Sequence, residues 1–256
     1  MARLPRLSIA HQLHLLIQRA KADQPVLHDA ADCDAYLACL RDASFTHGVA
    51  VHAFALTPTD VRLLVTPATD TALGALLQAI GRRFVNPYNR RHGRSGPLWD
   101  GRFRATVVEP ETCFVDCLRF VETAPVRMGL VESAESWPWS SAAHHAGARR
   151  VPGLSEHPQF WRIGNTPFER EAVYRQLLGL PLDAAPARRL ENAALRGWAL
   201  GSAAFIDSVS ALAKRRLVPL PRGRRPKPRN ADVSSNLSPK EDVLVTTPGL
   251  KGADHG

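Results

Sequence analysis

The stretch from Val51 to Val65, Val-His-Ala-Phe-Ala-Leu-Thr-Pro-Thr-Asp-Val-Arg-Leu-Leu-Val, constrains the fold more than any other. Two apolar runs flank Thr57-Pro58-Thr59, and proline presets φ for a turn position. The pattern predicts an antiparallel hairpin with Asp60 and Arg62 on one face of its second strand, because strand side chains repeat every two residues. Two charged residues astride a valine in an apolar strand admit two readings. One is a surface ion pair, which contributes little. The other is the wall of a functional site.

The flanking segments supply the remaining elements. Leu13 to Gln18 reads as a buried strand in which His14 is more simply a satisfied core histidine than a ligand. Asp29 to His47 reads as a helix, with Cys33, Tyr36, Leu37, Leu40 and Ala43 on one stripe and Gly48 as its stop. A second helix is expected from about Thr71 to Arg90. Asp70 is its expected N-cap, Leu73, Leu76, Leu77, Ile80 and Phe84 form its apolar stripe, and Pro87 kinks or ends it. A Gly-rich basic loop then feeds a fourth strand at about Arg104–Val108. A third helix follows, with Pro110 near its start and Pro125 just past its end.

The order strand, helix, strand, strand, helix, strand, helix is that of an α+β, ferredoxin-like antiparallel sheet with helices packed on it. This core is expected over residues 1–145, with Trp137-Pro-Trp-Ser-Ser sealing a sheet edge. Residues 146–185 read as an extension or linker with a short helix around Phe168–Leu178. Residues 186–220 read as a small helical module, and 221–256 as a disordered basic and polar tail.

Charge narrows the function. The 256-residue chain carries a formal net charge of +9, which points to a polyanionic partner, nucleic acid first, with plain solubility as the bland alternative. No apolar run reaches the length of a signal-peptide core or a membrane span, so a cytoplasmic protein is expected. Four cysteines (33, 39, 113 and 117) read as reduced thiols. Cys113 and Cys117 stand at i,i+4 without a partner pair at zinc-site spacing.

From Gly81 to Arg104 there are seven arginines and a single acid, Asp100, interleaved with Tyr88, Trp99 and Phe103. Arginines contact phosphates and aromatic faces stack unpaired bases, so the run suits single-stranded or hairpin nucleic acid. Trp99 divides evenly between that role and the core. Glycines 93, 96 and 101 allow backbone to approach a ligand closely. A second basic run at 222–229 resembles a minor-groove arm and is equally readable as a nonspecific tail.

Gln18-Arg19, the hairpin, Arg90-Arg-His-Gly-Arg-Ser-Gly-Pro-Leu-Trp-Asp-Gly-Arg-Phe-Arg-Ala, Pro125-Val-Arg-Met-Gly-Leu-Val and Trp137-Pro-Trp-Ser-Ser occur in that order. Together they resemble the HUH single-tyrosine transposases, and most nearly the REP-associated tyrosine transposases. The resemblance covers about residues 1–145, and Gly197–Ser202 resembles the C-terminal extension of longer members. It implies cleavage of single-stranded DNA at or near hairpins. Two histidines on a strand hold a divalent ion, Mg or Mn, and a helix supplies a tyrosine nucleophile and an amide ligand four residues on.

Carried onto this chain, the histidine positions are Asp60 and Arg62, the nucleophile position is Phe120 and the amide position is Ala124. None has the implied chemistry, so no intact catalytic residue and no bound metal are expected. Asp60 and Arg62 are expected to neutralise each other. The leading expectation is a catalytically degenerate DNA-binding protein that contacts single-stranded or hairpin DNA through Arg19, Arg90, Arg91, Arg94, Trp99, Arg102, Arg104 and Arg127. The resemblance also allows a homodimer. The alternative is an active transposase with an unconventional site, using Tyr36, Tyr88 or Tyr174, of which only Tyr88 adjoins the basic loop. His14 and His52 would rebuild a metal site only if they faced the same sheet surface. A third reading is a decaying gene copy.

Overall fold

A computed structural model of the chain describes residues 7–21, 24–213 and 215–219. Strands β1 (Leu13–Arg19), β2 (Val49–Leu56), β3 (Asp60–Pro67) and β4 (Arg104–Val108) form an antiparallel sheet in the order β2-β3-β1-β4. The hairpin forms as its pattern requires. At the turn the Thr57 amide donates to the Asp60 carbonyl (2.8 Å), and the Thr57 hydroxyl receives the Asp60 amide (3.0 Å).

Alternation along the strands divides the core into two layers. Leu16, Val61, Leu63 and Val65 face helices α1 (Ala30–Thr46) and α2 (Ala72–Arg91), where Tyr36, Leu40, Leu73, Leu76 and Phe84 are buried. Leu13, Leu15, Ile17, Ala53 and Leu64 face α3 (Pro110–Glu122). A short turn, α4 (Ala124–Arg127), follows α3. Helices α5 (Ala142–His145), α6 (Pro158–Trp161), α7 (Pro167–Gly179), α8 (Ala184–Arg196) and α9 (Ala203–Leu212) complete the described chain. Phe160, Tyr174, Leu190 and Ala194 from α6, α7 and α8 share the α3-side core, and residues through Pro219 form one compact unit. The expected disordered tail at 221–256 lies outside the described residues.

Both sheet edges are covered, which removes the unpaired backbone that would otherwise invite strand addition. Ser140 bridges Ala55 and the Leu56 amide donates to the Trp139 carbonyl, so the Trp137-Pro-Trp-Ser-Ser segment seals β2. On the far edge Leu200 bridges Val108 of β4.

Two local expectations are corrected. Asp70 does not cap α2. Its carboxylate accepts the Ala10 amide (2.8 Å), and Thr71 stands at the N-cap without a side-chain capping bond. Pro87 does not end α2, which runs on to Arg91 because Phe84 and Tyr88, on either side, are anchored in the core. Packing there outweighs the single hydrogen bond proline removes. Pro125 lies just past the end of α3, as expected, and falls inside α4 after a break at Thr123.

His14 and His52 are both held neutral. His14 Nδ1 donates to the Gln12 carbonyl (2.7 Å) while Nε2 accepts the Ile9 amide (3.2 Å), and burial lowers its pKa to about 4. His52 Nδ1 donates to Ser155 O (2.7 Å), its Nε2 meets Thr66 Oγ1 (2.9 Å), and burial again lowers the pKa to about 4. The two rings lie on opposite faces. His52 packs on His157, which stacks on Phe114 of α3, whereas His14 alternates with the α3-facing Leu13 and Leu15. They therefore cannot share a metal.

A pH dependence follows. Between pH 6.5 and 4 the unfolded chain takes up protons at these positions that the folded chain refuses, so stability falls as pH drops. Going from pH 7 to pH 5 is expected to cost about 2 kcal/mol per histidine. Urea unfolding at the two pH values measures it, and equal midpoints would refute the assignment.

Candidate nucleic-acid interface

The strand register gathers the charged residues at one end of the sheet. Ile17 of β1 pairs with Arg62 on one side and Arg104 on the other, and Arg19 pairs with Asp60. Ile17 points into the α3-side core, so Arg19, Asp60, Arg62 and Arg104 all share that face. Onto it come Phe120 from α3, Ala124 and Arg127 from α4, and Glu191 from α8.

Asp60 and Arg62 form a closed unit. Arg62 Nε and Nη2 donate to the two Asp60 oxygens at 3.1 and 2.9 Å, and the Thr57 hydroxyl adds a third donor at 3.0 Å. Both residues are buried, at 5% and 7% exposure, so this is not the surface pair of the bland reading. The Arg62 guanidinium lies over the Phe120 ring, 4.8 Å from its centroid, and that of Arg127 lies 4.7 Å from the same centroid. Cations over an aromatic face are attracted by its quadrupole. Arg127 is fixed by donation to Thr123 Oγ1 and to the Phe120 carbonyl (2.6 Å). Burial, then the nearby charge of Arg62, lowers its pKa to about 10. Ala124 is fully buried beneath this group.

These side chains do not fit a divalent cation. Both oxygens of Asp60 are engaged by Arg62, and a guanidinium has no lone pair to offer a metal. Among the described residues no cluster of His, Cys, Asp or Glu would hold such an ion.

The three tyrosines weighed as alternative nucleophiles are all buried. All three are at most 3% exposed. Tyr36 donates to Gln18 (3.0 Å) and Tyr174 to Glu122 (2.6 Å). Burial raises the pKa of each, Tyr88 included, which keeps the phenols protonated.

The sequence-predicted contact residues separate into two groups. Arg19, Arg104 and Arg127 belong to the α3-side face. Arg90, Arg91, Arg94 and Trp99 belong to the end of α2 and the loop after it, and Arg102 lies further along that loop. The side chains of Arg82, Arg90 and Arg104 are exposed and make no ion pair or hydrogen bond among the described residues. Arg94 leans over the Tyr88 ring at 5.8 Å. Arg91 is engaged by two aspartates, Asp29 (2.5 Å) and the buried Asp32 (2.5 Å), which lock the end of α2 to the start of α1. It holds the Asp29 carboxyl well below the usual carboxylate range. Trp99 packs edge-on against Tyr36 (5.9 Å) while remaining half-buried.

Two contributors escaped the sequence reading. Glu191 binds Arg19, and its Oε1 stands 4.0 Å from Arg62 Nη2. Its signal was faint: an acid next to Leu190 on the buried stripe of α8. Glu122 is the other. It is completely buried and accepts from His145 Nδ1 (2.6 Å), Tyr174 and Ser141, tying α3 to α5 and α7. An acid between Val121 and Thr123 on an apolar helix was the visible clue.

No protein-family model and no curated protein matches the chain. Solved structures similar to it include the following two. A REP-associated tyrosine transposase bound to a REP hairpin is 12% identical, covers 61% of this chain and 99% of its own, and gives a TM-score of 0.49. A candidate transposase from Deinococcus radiodurans is 26% identical, covers 43% of this chain and 89% of its own, with a TM-score of 0.34.

Proposed function

We propose that this protein is a transposase-like DNA-binding protein that holds single-stranded or hairpin DNA without cleaving it. The observation that carries the reading is the closed Asp60–Arg62–Phe120–Arg127 unit. It stands where the family resemblance implies metal ligands and nucleophile, and it is packed and ion-paired rather than open. A site that had merely lost function would leave unpaired polar groups, whereas here each replacement has a partner. Exposed Arg104 on the same sheet face, with exposed Arg82 and Arg90 on α2, supplies charge for phosphates, and half-buried Trp99 supplies an aromatic face for a base. In this reading the centre works without a divalent ion.

Binding of a fluorescent hairpin with a single-stranded flank tests the proposal. Affinity is expected to be independent of magnesium at constant ionic strength and to fall steeply with salt, as phosphate contacts require. Arg90→Ala and Arg104→Ala are each expected to weaken it and flatten the salt slope by about one. A folded protein with no salt-sensitive affinity refutes the proposal. A covalent adduct on a denaturing gel would refute the non-cleaving part alone.

A further inference from the structure

On the α1/α2 side, a cleft of about 770 Å³ separates one face of α2 from the loop at 96–101. Its α2 wall presents Gln78, Arg82, Asn86 and Asn89, spaced three or four residues apart and therefore on one helix face. Facing them are Pro97, Leu98 and Trp99. The loop is held as a fixed wall. The Lys21 amide donates to the Leu98 carbonyl (3.0 Å), the Asp100 amide to the Arg19 carbonyl (2.9 Å), and Trp99 bridges Ala20. Asn89 Nδ2 donates to the Gly96 carbonyl (2.9 Å), whereas its Oδ1 is shielded from solvent and lacks a hydrogen-bond partner.

We infer that this cleft takes one unpaired nucleobase of the bound DNA, an inference that rests on the proposed function. Three features select a base over other ligands. Exposed carboxamides at 78 and 86 present donors and acceptors of the kind that read base edges. Trp99 supplies an aromatic wall for a planar ring. Asp100 at the mouth repels a phosphate from the interior, while exposed Lys21 and Arg82 attract phosphates on either side of the inserted base. The volume is within the range of small-ligand sites. Gly81 lies in the cleft lining, and a Cβ there would meet nothing within 4 Å. The space is open at the middle of the helix face.

That open space gives a test that leaves the fold intact. Gly81→Leu adds a side chain in the cleft lining whose Cβ meets nothing within 4 Å, and Gly81→Ala controls for helix propensity. Binding of wild type and both variants is measured by anisotropy on hairpins with unpaired flank and loop positions. Each unpaired position is replaced in turn by an abasic residue. In wild type and Gly81→Ala, one abasic position is expected to weaken binding about tenfold, the scale of a single stacked base. In Gly81→Leu the base-containing DNA is expected to bind as weakly as that abasic one. Hairpin binding that is indifferent to every abasic position, or unchanged by Gly81→Leu, overturns the base pocket and leaves the proposed function standing. Absence of any hairpin binding by folded wild type overturns both.

Discussion

Replacing Asp60 by alanine is expected to lower stability by about 3–5 kcal/mol, the usual consequence of leaving one member of a buried ion pair alone. Arg62 would keep the Phe120 face at 4.8 Å and a carboxylate oxygen of Glu191 at 4.0 Å, but it would lose both of its short hydrogen bonds. The double variant Asp60→Leu with Arg62→Met is expected to return to within about 1 kcal/mol of wild type, because apolar side chains of similar volume replace a buried pair at little net cost. Urea unfolding of the two singles and the double closes the cycle. A loss below about 0.5 kcal/mol in Asp60→Ala would mean that solvent reaches the pair. The centre would then be an open site rather than a sealed one. The outcome therefore bears on function as well as stability, since a sealed centre cannot admit a phosphodiester without first coming apart.

The fold was largely legible because local pattern and long-range packing agree along 13–122. Period-two apolar runs became strands, i,i+4 stripes became helices, and Gly48 stopped α1 in the left-handed conformation at φ +62°. Where they disagreed, tertiary structure won: Asp70 was taken by the Ala10 amide and Pro87 was carried through by its aromatic neighbours. The site was only half legible. Spacing alone placed Asp60 with Arg62 on one strand face. No local rule could bring Glu191 to Arg19 across 172 positions, or turn Arg127 back over a ring seven residues earlier. Arg91 shows the converse. Its charge was visible in the sequence, but its capture by Asp29 and Asp32 was not, because that depends on where α1 begins relative to the end of α2.

Restoring the four positions, Asp60→His, Arg62→His, Phe120→Tyr and Ala124→Asn, is expected to give a protein that forms a covalent adduct with hairpin DNA in the presence of manganese. The backbone supports this. Positions 60 and 62 share the α3-side face of β3, and the ring at position 120 already packs under the Arg62 guanidinium on that face. Two features work against it. Arg127 lies over the ring, and Glu191 holds Arg19 at the rim. Wild type, the quadruple variant, and the quadruple variant with Glu191→Gln are compared on denaturing gels, with hairpin binding measured alongside. Wild type is expected to give no adduct and the quadruple variant a detectable one. Glu191→Gln is expected to increase it by freeing Arg19 for the DNA backbone. Binding without adduct in both engineered proteins would place the loss of chemistry beyond these four side chains. The break at Thr123 would then be the first suspect, since it separates positions 120 and 124, which the chemistry needs on one continuous helix face.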